Sequence, residues 1–228
     1  MTPRFSIIIP TLNEAGNIEA CLKALQHWRN HCEIIVVDGG SLDQTVHLAQ
    51  PLADQVIIST PGRALQMNQG AKIATGDILI FLHADTMLPQ LALDFIEQDP
   101  QPWGRFDIQL QGSHPMLRVI ATFMNWRSCL TGIATGDQAI FVEQSLFSHV
   151  RGYPSIALME DIALSKQLKR HARPACLDQK VISSGRRWET FGLWRTIVLM
   201  WRLRLGYFLG ENPAYLAKLY QRGRLWNL

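Results

Sequence analysis

The sequence predicts an α/β fold, with a mostly parallel sheet flanked by helices on both faces and a C-terminal helical tail. Three observations predict it. Short apolar runs rich in Ile and Val recur through the first third of the chain, each ending in a loop of Pro, Gly, Asp or Arg. Between them lie segments of about ten residues whose apolar positions fall at helical spacing. Past Ser184 the rhythm gives way to apolar helical stretches rich in Trp and Arg.

Phe5 to Ile9 is a run of β-branched and aromatic residues closed by Pro10, which reads as a buried strand. Asn13-Glu14 then opens a helix in which Ile18, Cys21, Leu22 and Leu25 fall at i, i+3, i+4 and i+7. A second apolar run, Ile34 to Val37, stops at Asp38-Gly39-Gly40-Ser41 and completes a β-loop-α-β unit. A helix near Leu42 to Ala49, a strand Val56 to Ser59, a helix from about Ala64 to Ala74 and a strand Ile78 to Leu82 continue the alternation. Pro89 suits the first turn of a helix through Ile96, and Arg105 to Leu110 alternates like a half-exposed strand. Met116 to Leu130 then reads as an amphipathic helix, Ala139 to Val142 as a strand and Ile162 to Arg170 as a helix. Leu193 to Leu209 and Pro213 to Gln221 read as two terminal helices. With no repeat or linker in between, residues 1–190 form one α/β domain and residues 191–228 a basic, Trp-rich tail packed on the domain or on a membrane surface.

The 228 residues are 47% hydrophobic and 18% charged with a net charge of +3, which suits one folded domain and excludes a disordered or histone-like chain. The charge is uneven. Residues 184–228 carry eight Lys or Arg against two acids, a net +6, leaving the rest at −3. That tail is short and mostly apolar and the main domain is acidic, so nucleic acid is not the expected partner. Cys21, Cys32, Cys129 and Cys176 show no CxxC spacing and no zinc-type histidine company, which predicts reduced, mostly buried thiols. No export leader and no run of about 18 apolar residues is visible. A soluble, cytoplasmic chain is expected, with contact at the inner face of the membrane left open.

In open parallel sheets ligands sit beyond the carboxyl ends of the strands. The four loops there are Pro10-Thr11-Leu12-Asn13-Glu14, Asp38-Gly39-Gly40-Ser41, Pro61-Gly62-Arg63 and His83-Ala84-Asp85. Each offers carboxylates, amides, an arginine or glycines to one crevice. A GxGxxG after the first strand and a GxxxxGK[ST] are both missing, which argues against a dinucleotide fold and a P-loop.

The stretches IIIPTLNEAGNIEACLKAL, IIVVDGGSLDQT, GRALQMNQGA and GDILIFLHADT resemble the successive motifs of the family 2 glycosyltransferases. The resemblance continues through GDQAIF at 136–141 and MEDIALSKQLKR at 159–170 and covers about residues 5–190. It implies the GT-A nucleotide-diphospho-sugar transferase fold and transfer of a sugar from a nucleoside diphosphate, a UDP-sugar favoured, to an acceptor hydroxyl. It further implies inversion and a divalent cation, Mn²⁺ or Mg²⁺. HADT at 83–86 and SSGRRWE at 183–189 are most similar to a small bacterial subgroup that includes enzymes associated with arsenosugar biosynthesis.

By the same resemblance Pro10, Thr11, Asn13, Glu14 and Asp38 meet the nucleoside, while Arg63, Asn68 and Ala84 complete the nucleotide site. Asp38 ends a buried strand, where a carboxylate is costly without a polar partner; the partner is either the nucleoside or a turn with Gly39-Gly40. Arg63 opens a helix, where guanidinium and backbone N–H groups suit a diphosphate. Asp85 is the metal candidate, because a hard cation on carboxylate and phosphate oxygens neutralises the leaving group. His83 stands where the family's DxD motif has its first Asp. Imidazole suits Mn²⁺ better than Mg²⁺, so His83 either binds a softer ion or only hydrogen-bonds the donor. Asp161 matches the family's base, and its neighbour Glu160 is placed to raise its pKa. Trp103, Asp107, Gly136, Asp137, Gln138, Arg186, Arg187 and Trp188 are the acceptor and sugar candidates.

Rival readings are a non-catalytic nucleotide-sugar or membrane-binding module and a sugar-1-phosphate nucleotidyltransferase. The latter needs a Gly-rich, basic first loop, which PTLNEAG is not. In the tail, Arg195, Arg202 and Arg204 interrupt an apolar helix whose Trp194 and Trp201 lie seven apart. Such a helix either packs on the domain or on a second subunit with its arginines snorkelling, or lies among lipid headgroups near a lipid-linked acceptor.

Overall fold

The computed structural model describes residues 4–223. Arg224 and Trp226 of the basic tail lie outside them. Strands β1 (Phe5–Thr11), β2 (Cys32–Asp38), β3 (Gln55–Ile58) and β4 (Ile78–Phe81) are mutually parallel in the order β3-β2-β1-β4. β1 and β2 are apolar at consecutive positions because both faces of this sheet are covered. Ile7, Ile9, Ile34 and Val36 join one core cluster, while Ile8, Ile35 and Val37 join another.

The first cluster is closed by α1 (Ile18–Leu25), α2 (Thr45–Ala49), α4 (Ala92–Gln98) and α5 (Met116–Thr131). The second is closed by α3 (Arg63–Ile73), α6 (Gln144–His149) and α7 (Glu160–Leu168). A Cβ on Gly70 of α3 would stand 2.5 Å from Ile8 Cγ2, so this glycine lets the helix press onto the sheet.

The second half of the sheet departs from a purely parallel plan. β5 (Thr86–Met87), β6 (Trp103–Gln111), β7 (Ile140–Glu143) and β8 (Ala175–Ser184) extend it in the order β4-β7-β6-β8-β5. β7 runs antiparallel to β4 and β6, β6 and β8 are parallel with an irregularity at Phe106/Asp107, and β5 is antiparallel to β8. β8 escapes the sequence pattern because it mixes Asp178, Gln179 and Lys180 with its apolar positions and carries half-exposed edges. β6 alternates as expected from Phe106 to Leu110, with Ile108 and Leu110 buried and Gln109 exposed, and extends back to a fully buried Trp103 that lies outside the run predicted from sequence. The helix assigned to Pro89 starts at Ala92, with Pro89 supplying a carbonyl to a preceding turn. The helix after Asn13-Glu14 becomes regular only at Ile18.

The cysteines differ from expectation. Cys129 at the end of α5 and Cys176 in β8 form a disulfide, with Cα atoms 5.8 Å apart across 47 residues of sequence. Spacing could not reveal a pair that the α5–β8 packing creates. Cys21 and Cys32 are free and buried, and burial above all pushes both thiols up to about 12.

After β8 come α8 (Arg186–Phe191), α9 (Leu193–Phe208) and α10 (Pro213–Arg222). Leu199 and Leu203 of α9 and Leu216 and Leu219 of α10 share a third core cluster with Ile133, Met159 and Ile162. The C-terminal helices therefore cover the start of α7. Among the described residues, no helix is long and apolar enough to cross a membrane.

Candidate active site

The loops after β1 and β2 are stitched together. Asn13 N–H donates to Ser41 Oγ at 2.8 Å, and Asn13 Oδ1 accepts from Leu42 N–H at 2.9 Å. Glu14 N–H donates to Thr45 Oγ1 and Ala15 N–H to Asp43 Oδ2. Asn13 adopts a left-handed φ of 54°, which Asn tolerates better than most side chains.

Asp38 is fully buried at the floor of this loop pair. Its carboxylate accepts from Thr11 Oγ1 at 3.1 Å, from the N–H groups of Gly40 and Ser41 at 2.8 and 2.7 Å, and from Ser41 Oγ. Burial is thus offset inside the protein, by the turn with Gly39-Gly40 that was the alternative to a nucleoside partner. Pro10 sits in register with Val37 beside it. Gln66, buried in α3, donates to the carbonyls of Thr11 and Val37, both at 2.8 Å, and so locks the ends of β1 and β2.

Three further elements converge beyond the strand ends. Arg63, first residue of α3, reaches Glu160 Oε1 at 3.7 Å. Partial burial pulls its guanidinium down, but Glu160, then Tyr220, Asp161 and Asp85 outweigh this and hold its pKa above the ordinary value. Asp85, from the loop after β4, accepts only from Thr86 Oγ1 at 3.5 Å among the described residues, so its oxygens keep lone pairs for a cation. No three His, Cys, Asp or Glu side chains among the described residues gather closely enough to hold a metal unaided. One carboxylate completed by substrate phosphates is the usual arrangement for Mg²⁺, and Asp85 fits it.

His83 turns one ring nitrogen away from solvent. Its Nε2 is buried without a hydrogen-bond partner and faces Gly136, where a Cβ would come within 2.7 Å. Burial and then Arg63 bring the imidazole down to about 3, so it is neutral at ordinary pH. Ala84 is buried between the two.

Glu160 and Asp161 form the first turn of α7 rather than preceding it. Met159 before them takes a left-handed φ of 69°, a conformation costing about 1 kcal/mol or more that turns the pair into the crevice. Burial, then Asp161, raise the Glu160 carboxyl above its ordinary value, against the pull of Arg63. Asp161 accepts the Gly136 N–H at 3.0 Å on Oδ2 and the Ile162 N–H at 2.7 Å on Oδ1. The 136–138 turn is fixed in return by a capping box between Thr135 and the fully buried Gln138. Asp137 Oδ1 is buried and unpartnered, and burial raises its carboxyl.

Several candidates are used elsewhere. Trp103 is fully buried in the second core cluster with its indole N–H on the Ala172 carbonyl at 2.9 Å, so it offers no face to a sugar. Asp107 is paired with the buried Arg105, whose other nitrogen holds the Asn125 carbonyl at 3.1 Å. Asn68 spends its amide on both backbone groups of Tyr153, at 2.8 and 2.9 Å. Trp188 packs against the first core cluster. Arg187 lies over the Tyr220 ring at 3.5 Å and donates to the Tyr220 carbonyl, tying α8 to α10. Arg186 is exposed.

Two residues are not among the site candidates: Arg127 carries no sequence signal, and Arg204 reads in sequence only as an arginine interrupting the tail helix. Arg127 of α5 has Nε and Nη2 buried without partners, and burial, then Arg204, bring it down to about 10. Arg204 of α9 is lowered by burial against the pull of Asp161 and Asp137. Both guanidiniums thus border the Asp137–Asp161 side of the crevice, although neither forms an ion pair with those carboxylates among the described residues.

The sequence profile of glycosyl transferase family 2 matches residues 6–130. The chain belongs to that family. Its GT-A architecture is shared with a mannosyltransferase from Pyrobaculum calidifontis in complex with GDP-Man and Mn²⁺, at TM-score 0.68 and 19% identity over 99% of this chain and 70% of that one. TarS from S. aureus superposes at TM-score 0.63 and 18% identity over 87% of this chain and 65% of that one. Among curated relatives, a PGL/p-HBAD biosynthesis glycosyltransferase of Mycobacterium bovis is 43% identical over 96 residues, 38% of this family 2 chain and 37% of that protein. YibD of Escherichia coli, an uncharacterized glycosyltransferase, is 30% identical over 111 residues, 43% of this chain and 32% of that one. The family 2 chain thus spans about a third of the length of these curated relatives.

Proposed function

We propose that this protein is an inverting, metal-assisted glycosyltransferase that moves a sugar from a nucleoside diphosphate, a UDP-sugar favoured, to an acceptor hydroxyl. The observation that carries this reading is the convergence of Arg63, Asp85, Glu160 and Asp161 beyond the strand ends of a family 2 chain. HADT and SSGRRWE support placement in the small bacterial subgroup named above, with residues 1–190 as catalytic domain and 191–228 as a helical addition.

The donor nucleotide lies along the loops of Thr11, Asn13 and Asp38, and Arg63 with the backbone at the start of α3 receives the diphosphate. A divalent cation on Asp85 would supply Lewis-acid neutralisation of the leaving diphosphate. Mn²⁺ accompanies the Pyrobaculum mannosyltransferase and a glucosyl-3-phosphoglycerate synthase of Mycobacterium tuberculosis, the latter also with UDP. Asp161, anchored by Gly136, takes the proton of the acceptor hydroxyl. The acceptor oxygen bonds to the anomeric carbon as the bond to the diphosphate oxygen breaks on the opposite face, which inverts the centre. Glu160 shares the crevice with Asp161, whose charge together with burial raises the Glu160 carboxyl, while Arg63 pairs with it at 3.7 Å.

Calorimetric titration with UDP and GDP, each with Mn²⁺, Mg²⁺ or chelator, tests this on the intact chain and on Asp85→Ala. Metal-dependent binding of one nucleotide that disappears in the variant is expected. Absence of nucleotide binding under every condition overturns the reading. Metal-independent binding without donor hydrolysis or transfer favours the non-catalytic module.

A further inference from the structure

Helices α5 and α9 lie on the same side of the molecule, since Met124 of α5 and Leu193 and Ile197 of α9 pack against one core cluster. Each turns an apolar stripe to solvent. On α5 it is Val119, Phe123, Trp126 and Leu130, at steps of four, three and four. On α9 it is Trp194, Val198, Trp201, Leu205 and Phe208, at steps of four, three, four and three. Every one of these residues is at least 43% exposed. The opposite face of α9 is occupied by Leu199 and Leu203 in the third cluster, so the exposed stripe is not the helix's packing surface.

The chemistry of this face names its partner. Five of its nine apolar residues are Phe or Trp, the side chains that settle at the boundary between headgroups and acyl chains. Neither helix contains an Asp or Glu, and Arg118 and Arg195 flank the stripes exposed. A two-fold contact with a second copy would set this cationic face against itself with no acid on either helix to offset it. An anionic lipid surface satisfies both features together.

We propose that the α5–α9 face docks this protein peripherally on an anionic membrane surface, with the Trp and Phe rings at the headgroup boundary and Arg118 and Arg195 among lipid phosphates. The inference goes beyond the transfer reaction and does not depend on it. Because α9 also carries Arg204 toward Asp137 and Asp161, docking would bring the acceptor side of the crevice close to the lipid surface.

Sedimentation of the full chain with vesicles of phosphatidylcholine, with and without about a third phosphatidylglycerol, tests the inference. Binding to the anionic vesicles is expected, weakening at high salt as headgroup charges are screened. Trp194→Ser with Trp201→Ser should weaken it by at least about tenfold, and Arg195→Glu should also weaken it. Both tryptophans are more than two-thirds exposed, and unchanged melting checks that the variants fold. Failure of the natural chain to sediment, or equal sedimentation of the variants, overturns the proposal. So does a dimer in light scattering that the tryptophan variant converts to monomer without any vesicle binding.

Discussion

Gly136→Ala is the sharpest test of how the candidate base is held. Its added Cβ would lie 2.7 Å from His83 Nε2 and 2.9 Å from Cε1, both atoms of a half-buried ring. Carbon contacts are comfortable from about 3.5 Å, so either the imidazole or the 136–138 turn must retreat by roughly 0.7 Å. His83 Nε2 is already buried, so the turn shares the adjustment, and the turn carries the N–H that holds Asp161 at 3.0 Å. A retreat of that size lengthens this bond to about 3.7 Å, beyond useful hydrogen-bonding range. Overpacking of this kind costs about 1–3 kcal/mol, which for a chain of this length lowers the melting temperature by roughly 2–4 °C per kcal/mol. A misplacement of about 1 Å at a reacting group can cost about a hundredfold in rate, so a loss of turnover approaching that size is expected. Nucleotide binding should survive, because the proposed nucleotide side, at the ends of β1 and β2 and the start of α3, belongs to other elements. Calorimetric melting, nucleotide titration and a donor-turnover assay on the same preparation separate the effects. Unchanged turnover and melting would refute the steric reasoning, and loss of nucleotide affinity matching the loss of turnover would refute the assignment of Gly136 to the base side.

Glu160→Gln should remove a pH-dependent cost. The folded carboxyl is raised above its unfolded value, so its contribution is most favourable below the ordinary Glu value and is lost as pH rises through the raised one. The variant should therefore gain melting temperature relative to the natural protein on going from about pH 4 to about pH 8, while transfer falls; a parallel pair of melting profiles would contradict this. Cys129→Ser opens a cross-link over 47 residues of sequence, worth up to roughly 4 kcal/mol by loop entropy. Denaturant unfolding of the oxidised protein and the variant measures it, and non-reducing peptide mapping checks the pairing.

The alternating first half was legible because its signals are local. Consecutive apolar residues in β1 and β2 announce strands covered on both faces, and the intervening 3.6-residue period announces helices. Asp38, Arg63 and Asp85 follow strand ends, where ligands of open parallel sheets gather, whereas Asp161 is singled out by the resemblance of MEDIALSKQLKR to a family motif. The short β5 and the half-polar β8 carry no such period, since their pairing is made by neighbours distant in sequence.

By itself, then, the sequence determined the α/β class, the crevice loops and the family. Tertiary structure decided what each polar group is free to do. Asp38 is spent on Thr11, Gly40 and Ser41, Asn68 on Tyr153, Asp107 on Arg105, and Trp103 on the core. It also decided the Cys129–Cys176 pair, the placing of Arg127 and Arg204 near Asp137 and Asp161, and which face of α9 meets solvent. The reason is physical: strand and helix periods follow from backbone geometry within a few residues, whereas satisfying a buried polar group depends on atoms that only the packed chain brings within 3 Å or so.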